Sequence, residues 1–208
     1  MIRRRSPVVG AEDGPRPDAE AGVSLAELVI ALAIGFVLVA FTVPTTAATI
    51  DAGRVNAAAS GMASRFRLTR LDAVSRGRST ALVFDQVGAR WVFRVCADGN
   101  GNGIRRSEIQ SGTDVCAADS IDVQALYPGV RVDVDATLRG PSGEPPSADP
   151  VRFGSSNMAS FSPLGSCTAG TLFLRSPMGQ QYAVRIAGAT GRTRVLRYDS
   201  AAGIWIEL

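Results

Sequence analysis

The chain has 208 residues with 22 basic and 19 acidic side chains, no histidine and no lysine, and a formal net charge of +3 at pH 7. The absence of histidine removes the commonest general base and a frequent metal ligand. The sequence also contains no G-x-S-x-G, P-loop or G-x-G-x-x-G pattern. We therefore expect a protein that is not an enzyme and that needs no cofactor.

The N-terminal fifty residues divide into a polar leader, residues 1–22, and an apolar run. The leader balances four arginines against four acidic residues, whereas residues 28–50 carry no charged side chain. At 1.5 Å per residue, such a helix is long enough to cross a hydrocarbon core of roughly 30 Å. The arginines near the start predict a leader that stays in the cytoplasm while the rest of the chain is exported.

The junction "GVSLAEL", residues 22–28, resembles the processing site of type IV pilins and type II secretion pseudopilins. The resemblance implies that a prepilin peptidase cleaves after Gly22 and that Val23 becomes a methylated N-terminus. Glu27 then takes the place of the family's glutamate and would neutralise the N-terminal ammonium of a neighbouring subunit in a filament. Pro44 lies where many members have a helix-kinking proline. The alternative for Glu27 is a favourable position at the positive end of the helix dipole.

A helix is predicted to continue over residues 51–77, because Val55, Ala59, Met62 and Phe66 recur at three- and four-residue spacing. Leu68, Leu71 and Val74 were expected to extend its apolar surface, and Pro44 and Gly53 were expected to bend the helix. Beyond Gly77, short β-rich runs follow one another without helices between them, which predicts an antiparallel sheet. These runs are residues 79–85, 90–98, 121–127, 130–138, 151–154, 159–163, 171–176, 181–188, 193–199 and 203–208.

The C-terminal part resembles the GspH/FimT branch of minor pilins and pseudopilins. The matching elements are F-x-P-x-G at residues 161–165, G-T-L at residues 170–172 and G-R-x-R at residues 191–194. The resemblance implies an α+β, pilin-like fold, in which a long N-terminal helix, transmembrane in its first half, packs on a C-terminal antiparallel β-sheet domain. The domain boundaries are then residues 1–22 for the leader, 23–50 for the transmembrane helix, 51–77 for its amphipathic continuation and 78–208 for a periplasmic domain.

The arginines of the C-terminal part are a candidate DNA site. Residues 150–198 contain six arginines and no acidic residue, whereas residues 98–149 contain nine acidic residues and four arginines. In FimT-like proteins the G-R-x-R element is associated with DNA binding during natural transformation. The candidate contacts are Arg192, Arg194, Arg197, Arg185 and Tyr198, since guanidinium groups grip phosphates and tyrosine stacks on bases. The alternatives are arginines that solvate a strand, pair with the acidic part, or contact another subunit.

Residues 96–116 contain a weak calcium-like loop and two of the three cysteines. Asp98, Asn100 and Asn102 match the start of a calcium loop, but Glu108 is one residue too early for the bidentate ligand. A tight turn is the favoured interpretation, because Asn and Gly tolerate positive φ, and we expect no metal. In an oxidising periplasm Cys96 and Cys116 are expected to form a disulfide, although either could instead pair with Cys167.

The sequence thus predicts a minor pseudopilin or pilin of a type II secretion or type IV pilus machine. Its expected location is the inner membrane, crossed once, with the C-terminal domain in the periplasm or in an assembled filament. Its expected partners are the prepilin peptidase, other major and minor pilins or pseudopilins, the inner membrane, and either secreted cargo or double-stranded DNA. The alternative function is DNA binding by a FimT-like minor pilin.

Overall fold

A long helix, α1, opens the described part of the chain. The computed structural model describes residues 23–208, except for the side chains of residues 41–45. α1 spans Leu25–Arg76 and contains Pro44 and Gly53 without interruption. It ends at Gly77, which has φ +63°. The Gly77 N–H donates to the Val74 oxygen and the Arg78 N–H donates to the Ala73 oxygen, which is the double hydrogen bond of a Schellman C-cap.

The chain divides into two compact units, one ending at Pro44 and one spanning Thr45–Leu208. In the first unit, the large apolar side chains of residues 23–39 are all exposed. No helix within the described residues meets the requirements of length and apolar composition for crossing a membrane. The transmembrane helix expected over residues 23–50 is therefore not confirmed. The leader, including Gly22, lies outside the described residues, and the bends expected at Pro44 and Gly53 stay predictions.

In the second unit, one face of α1 is buried in the main core. The buried positions follow the helical period and are Val55, Ala58, Ala59, Met62, Ala63, Phe66, Thr69 and Ala73. Leu68 and Leu71 are 64% and 62% exposed, and Val74 is also exposed. The expectation that these three residues extend the apolar contact surface was therefore wrong. At 100° per residue, Thr69 and Ala73 fall on the stripe of Met62 and Phe66, whereas Leu68 and Leu71 point away from it.

The first sheet is built around a hairpin of two eight-residue strands, β1 and β2. All its strand pairs are antiparallel, and β1 lies between β2 and β6, while β3 and β4 pair with β2. The hairpin turn is the two-residue turn Gly88-Ala89, which joins Val87 to Arg90. The strands are β1 Thr80–Val87, β2 Arg90–Ala97, β3 Val115–Cys116, β4 Ile121–Asp122 and β6 Met158–Phe161; α2 Arg106–Ser111 and α3 Val123–Leu126 lie in the connections.

The second sheet is a five-stranded antiparallel sheet in the order β10-β9-β8-β7-β5. Its strands are β5 Val151–Arg152, β7 Gly170–Arg175, β8 Gln181–Ile186, β9 Thr193–Asp199 and β10 Ile204–Glu207. A short 3-10 turn, Gly154–Ser156, follows β5. The predicted α+β, pilin-like architecture of a long N-terminal helix packed on antiparallel β-structure is confirmed.

The helix and both sheets share one hydrophobic core. Phe66 of α1 lies 6.2 Å from the ring of Phe84 on β1 and 5.5 Å from that of Phe153 after β5. Tilted aromatic pairs at these distances add to the stabilisation that burial gives. A smaller cluster on the outer face of the second sheet contains Val134, Phe173, Ala183 and Leu196, with Trp205 packed against it.

Two of the polar contacts between α1 and the β-structure are widely separated along the helix. The buried Ser176 hydroxyl donates to a carboxylate oxygen of buried Asp51 over 2.5 Å. The Arg70 guanidinium donates to the carbonyl oxygen of Gly165 over 2.9 Å. Because these contacts lie nineteen residues apart on one helix, they set both its axial position and its rotation on the sheets.

One of the expected strands is absent from the described residues, and another is reduced to two residues. Residues 130–138 alternate in hydropathy, but their ladder is limited to one isolated bridge between Arg131 and Arg175. Within residues 121–127, a two-residue strand is followed at once by α3. Asp122 caps α3 by accepting hydrogen bonds from the N–H groups of Gln124 and Ala125, which ends the strand there.

Candidate functional site

The arginine motif lies where β9 begins, directly after a tight turn. Gly191 has φ +64°, a backbone conformation that favours glycine. Thr193 is buried, whereas Arg192 and Arg194 on either side of it are exposed. The two arginines therefore point to one face of the second sheet and the threonine to the other, as the two-residue period of a strand requires.

One carboxylate, Glu207 at the end of β10, contacts both arginines. Its Oε1 lies 3.2 Å from Arg192 Nη2, and its Oε2 lies 3.4 Å from Arg194 Nη1. The side chains are 62% exposed for Arg192 and 43% exposed for Arg194 and Glu207. Exposed pairs of this kind are weak, so Glu207 offsets one of the two positive charges of the motif without closing it off.

The motif borders a groove between α1 and the C-terminal strands, which we call the C-terminal groove. It has a volume of about 540 Å³ and is lined by Asn56, Ser60, Ala63, Ser64, Arg67, Arg192, Thr193, Arg194, Val195, Glu207 and Leu208. Arg67 Nη2 donates to the Thr193 carbonyl over 3.4 Å. The Thr193 hydroxyl is buried and has no hydrogen-bond partner among the described residues. The groove thus combines three guanidinium groups with one unsatisfied hydroxyl.

The other candidate DNA contacts are not gathered into this groove. Arg185 is the cross-strand neighbour of Arg194, but its guanidinium is paired with Glu144 at 2.5 Å. Arg197 is three residues from Arg194 and therefore points to the opposite face of the sheet. Tyr198 packs edge-on against Trp205 with ring centroids 5.3 Å apart.

Three of the nine carboxylates in the acidic part of the domain, Asp133, Asp135 and Glu144, pair with two arginines of the basic part. Arg175 lies 3.7 Å from Asp133 and 3.6 Å from Asp135. Burial favours the neutral form of Glu144, but the hydrogen bond from Arg185 and nearby backbone N–H groups outweigh it and lower the pKa of that carboxyl. The charge asymmetry seen in the sequence is thus only partly neutralised within the fold.

Gly165 of the F-x-P-x-G element and Gly191 of the G-R-x-R element leave room for the Arg70 side chain. A Cβ added to Gly191 would lie 2.5 Å from Arg70 Nε and 2.8 Å from the Gly165 oxygen, and one added to Gly165 would lie 2.9 Å from Arg70 Nη2. Gly170 has a different neighbour, since its added Cβ would meet the Phe153 ring at 2.3 Å. These motif positions are explained by close packing.

Glu27 lies in the first turn of α1, beside the helix N-cap. Its backbone N–H donates to the Ser24 hydroxyl over 3.2 Å, and the Leu28 N–H donates to the Ser24 carbonyl. Ser24 and Glu27 have the spacing of a capping box. Val23 is 69% exposed. Glu27 thus occupies the favourable end of the helix dipole, and its exposed position also leaves it open to a partner.

The calcium-like loop is held together by its own carboxylates. Asp98 accepts hydrogen bonds from the N–H groups of Asn100 and Gly101 through Oδ1 and from Gly103 through Oδ2. Asn102 Nδ2 donates to Glu108 Oε1 over 2.8 Å. Burial raises the pKa of Asp98, but the backbone donors, Gly103 first among them, outweigh burial and lower it. Within the described residues, no group of three potential ligands could hold a metal ion.

A disulfide joins the two ends of this loop. Cys96 and Cys116 are opposite each other on β2 and β3 and are bonded. Of the cysteines in the described part of the chain, Cys167 is the free one. Burial raises the pKa of its thiol, although the Arg70 charge and the Gly191 N–H oppose the shift.

Three functional residues were missed in the sequence. Ser24 could have been found, because S-x-x-E before an apolar run is a capping-box pattern. Arg70 is one of several arginines on α1, and nothing local distinguishes it. Glu207 lies thirteen residues beyond Arg194, and only the β9–β10 pairing brings the two side chains together.

Comparison with protein families gives one match. Residues 58–191 match the family model described as type II transport protein GspH. The comparisons with curated proteins and with solved structures gave no significant match. The matched region runs from the buried face of α1 to the glycine that precedes β9 and covers more than half of the chain. The chain therefore belongs to the GspH family of type II transport proteins.

Proposed function

We propose that this protein is a minor pseudopilin, a structural subunit of a short filament that serves type II secretion. The family match over residues 58–191 carries the proposal, because it covers most of the helix-on-sheet domain. The N-terminal junction at residues 22–28, which resembles a prepilin processing site, supports it independently. No catalytic role is assigned.

In this proposal the precursor is inserted in the inner membrane with its leader in the cytoplasm. A prepilin peptidase cleaves after Gly22, and Val23 becomes the methylated N-terminus. Two observations support the membrane segment: residues 28–50 carry no charge, and the large apolar side chains of residues 23–39 are exposed. Exposed apolar surface of this extent needs lipid or neighbouring helices to cover it.

During assembly, the apolar helix leaves lipid for a bundle of neighbouring helices. Glu27 pairs with the ammonium group of a neighbour's Val23, since a carboxylate in apolar surroundings is costly without a partner. The β-rich domain, residues 78–208, faces the periplasm and meets other pseudopilins or the secreted cargo.

Coexpression with a prepilin peptidase and the other pseudopilins tests this function. Intact-mass measurement should find a membrane protein that lacks residues 1–22 and carries one methyl group. Glu27→Gln should still be cleaved but should be lost from sheared filaments, because the carboxylate that pairs with the neighbour's ammonium is gone. Glu20→Gln in the leader is the matched control and should assemble normally. A chain that keeps its leader would contradict the proposal. So would a Glu27→Gln variant that is recovered in filaments as well as the unaltered protein is.

DNA binding, as in FimT-like minor pilins, is the second candidate function. The observation that favours it is the common exposed face of Arg192 and Arg194, with Arg185 as the cross-strand neighbour. The full-length protein in detergent should then bind duplex DNA with an affinity that falls steeply as salt rises. Arg192→Gln/Arg194→Gln should remove that binding, whereas Arg78→Gln at the end of α1 should not. Equal binding by both variants would refute this candidate.

A further inference from the structure

The C-terminal groove contains a carboxylate held by two guanidinium groups. The two oxygens of Glu207 contact different arginines, Arg192 at 3.2 Å and Arg194 at 3.4 Å. Arginine pairs strongly with planar two-oxygen anions. The fold itself therefore demonstrates that the space between these arginines accepts a carboxylate.

A second observation points to an occupant that is not part of the domain. Thr193 is 9% exposed, its hydroxyl is buried without a hydrogen-bond partner in the described part of the chain, and it lines the same groove. Buried hydroxyl groups nearly always have a partner, because an unsatisfied one is unfavourable. A ligand that enters the groove beside Thr193 would supply the missing hydrogen bond.

The opposite wall suits a polypeptide. It is formed by Asn56, Ser60 and Ser64 of α1, whose short polar side chains can donate to or accept from a peptide backbone. A longer polyanion that crosses the sheet would need Arg175 and Arg185. Both are already paired: Arg175 with Asp133 and Asp135, and Arg185 with Glu144. At the groove itself, Arg67 and the two arginines that share the single carboxylate of Glu207 leave a net positive charge.

We propose that the C-terminal groove is a docking site for an acidic segment of a partner protein, and that Glu207 occupies it until the partner arrives. The partner's carboxylate replaces Glu207 between Arg192 and Arg194, and its backbone or side chain meets the Thr193 hydroxyl. This inference rests on the proposed role as a filament subunit, in which the partner is a neighbouring protein.

The exchange is feasible because each ion pair of Glu207 is solvent-exposed and contributes little. Glu207 stands at the end of an edge strand, so its side chain can swing away while β10 stays paired with β9. Arg67, on the facing wall, is exposed and makes only a long hydrogen bond of 3.4 Å to the Thr193 carbonyl. It therefore remains available for a second acidic group of the partner.

The test uses the full-length protein in detergent and a fluorescein-labelled hexaglutamate peptide, with hexaglutamine as the uncharged control. Glu207→Gln removes the internal competitor, so hexaglutamate should bind about threefold to tenfold more tightly. Arg192→Gln/Arg194→Gln should weaken binding by about tenfold or more. Arg197→Gln, which changes an exposed arginine of the same strand outside the groove, should leave binding unchanged.

Thr193→Val separates a binding role from a structural one. Removing an unsatisfied buried hydroxyl should leave the unfolding midpoint of the free protein equal or higher, while hexaglutamate binding falls about threefold. Valine has nearly the shape of threonine, so packing is preserved. A lower midpoint together with unchanged peptide binding would overturn the assignment of the groove.

Two further outcomes would refute the proposal. One is a Glu207→Gln variant with unchanged affinity for hexaglutamate. The other is a short DNA duplex that binds more tightly than the peptide at equal salt and responds to the same variants, which would assign the groove to nucleic acid. Processing after Gly22 and recovery in filaments are measured separately from peptide binding. A negative peptide result would therefore refute the docking site without refuting the subunit function, and failed processing would refute the subunit function.

Discussion

The Arg70 side chain lies where two turns leave room for it. Its guanidinium donates to the Gly165 carbonyl at 2.9 Å and passes so close to Gly191 that any Cβ there would overlap it. Gly165 belongs to the connection between the two sheets, and Gly191 to the turn before β9. A single side chain of α1 thus ties together a connection and a turn that are far apart in the sequence.

Gly191→Ala should destabilise the protein by about 2–4 kcal/mol. The positive φ costs about 1–2 kcal/mol for alanine, and displacement of Arg70 weakens a charge-assisted hydrogen bond worth about 1.5–3 kcal/mol. The measurement is urea unfolding of the full-length protein in detergent, followed by tryptophan fluorescence. Gly179→Ala is the matched control, because Gly179 also has positive φ, +86°, but an added Cβ would have no neighbour within 4 Å. If the two variants lose equal stability, the close packing on Arg70 does not contribute to the free energy of unfolding.

At the scale of elements, the loop between β2 and β3 is stabilised from inside. Besides Asp98, the buried Asp114 accepts hydrogen bonds from the N–H groups of Gly99 and Arg105. Two carboxylates thus satisfy the backbone of a glycine- and asparagine-rich segment, and the Cys96–Cys116 disulfide closes it.

The loop should loosen in acid. The pKa of Asp98 is lower in the folded protein than the value of about 3.9 expected when it is unfolded. The ionised Asp98 carboxylate therefore stabilises the folded loop above about pH 3.9, and this stabilisation is lost as the pH falls through the folded pKa. Hydrogen-exchange protection of Gly101 and Gly103 should therefore decrease between about pH 5 and the folded pKa.

Asp98→Asn provides the test of that cause. The amide can still accept through its oxygen, but its NH₂ group would face the Gly103 N–H, so protection should be low already at neutral pH and independent of acid. Asp119→Asn changes an exposed carboxyl in the connection that follows β3 and should behave like the unaltered protein. Acid sensitivity that survives in Asp98→Asn would assign the effect to another group.

The elements that sequence reasoning predicted well are those in which apolar runs flank a tight turn. The β1–β2 hairpin has apolar runs, residues 81–84 and 91–93, on both sides of Gly88-Ala89, so its position follows from local sequence. The run at residues 130–138 alternates in hydropathy but forms only an isolated bridge in the described part of the chain. Val130, Val132 and Val134 are buried, but Asp133 and Asp135 turn toward Arg175 instead of toward a neighbouring strand. Alternation reports burial of every second residue and cannot report whether a partner strand exists.

At the scale of the whole molecule, the candidate site was only half predictable. Arg192 and Arg194 stand in a recognisable G-R-x-R element, and their common face follows from strand periodicity. Glu207, Arg67 and the lone Thr193 hydroxyl required the topology, since they come from β10, from α1 and from the inward face of β9. A motif identifies side chains, whereas their neutralising partners depend on contacts between distant segments.

The uneven charge along the sequence also has a different meaning in the folded domain. Asp133, Asp135 and Glu144 reach across to Arg175 and Arg185, so the basic part is not one continuous positive surface. The C-terminal groove keeps a short row of accessible guanidinium groups, Arg67, Arg192 and Arg194. Recognition at this surface should therefore favour a compact acidic group over a long uniform polyanion.

The two widely separated polar contacts between α1 and the β-structure have a mechanical consequence. Asp51 bonds to the turn after β7, and Arg70 bonds to the connection between the sheets; nineteen residues at 1.5 Å place them about 28 Å apart along the helix. A pull on α1 along its axis must shear both contacts at once, together with the aromatic packing around Phe66, instead of peeling them one after the other. Force transmitted through the helix is thus shared between both sheets.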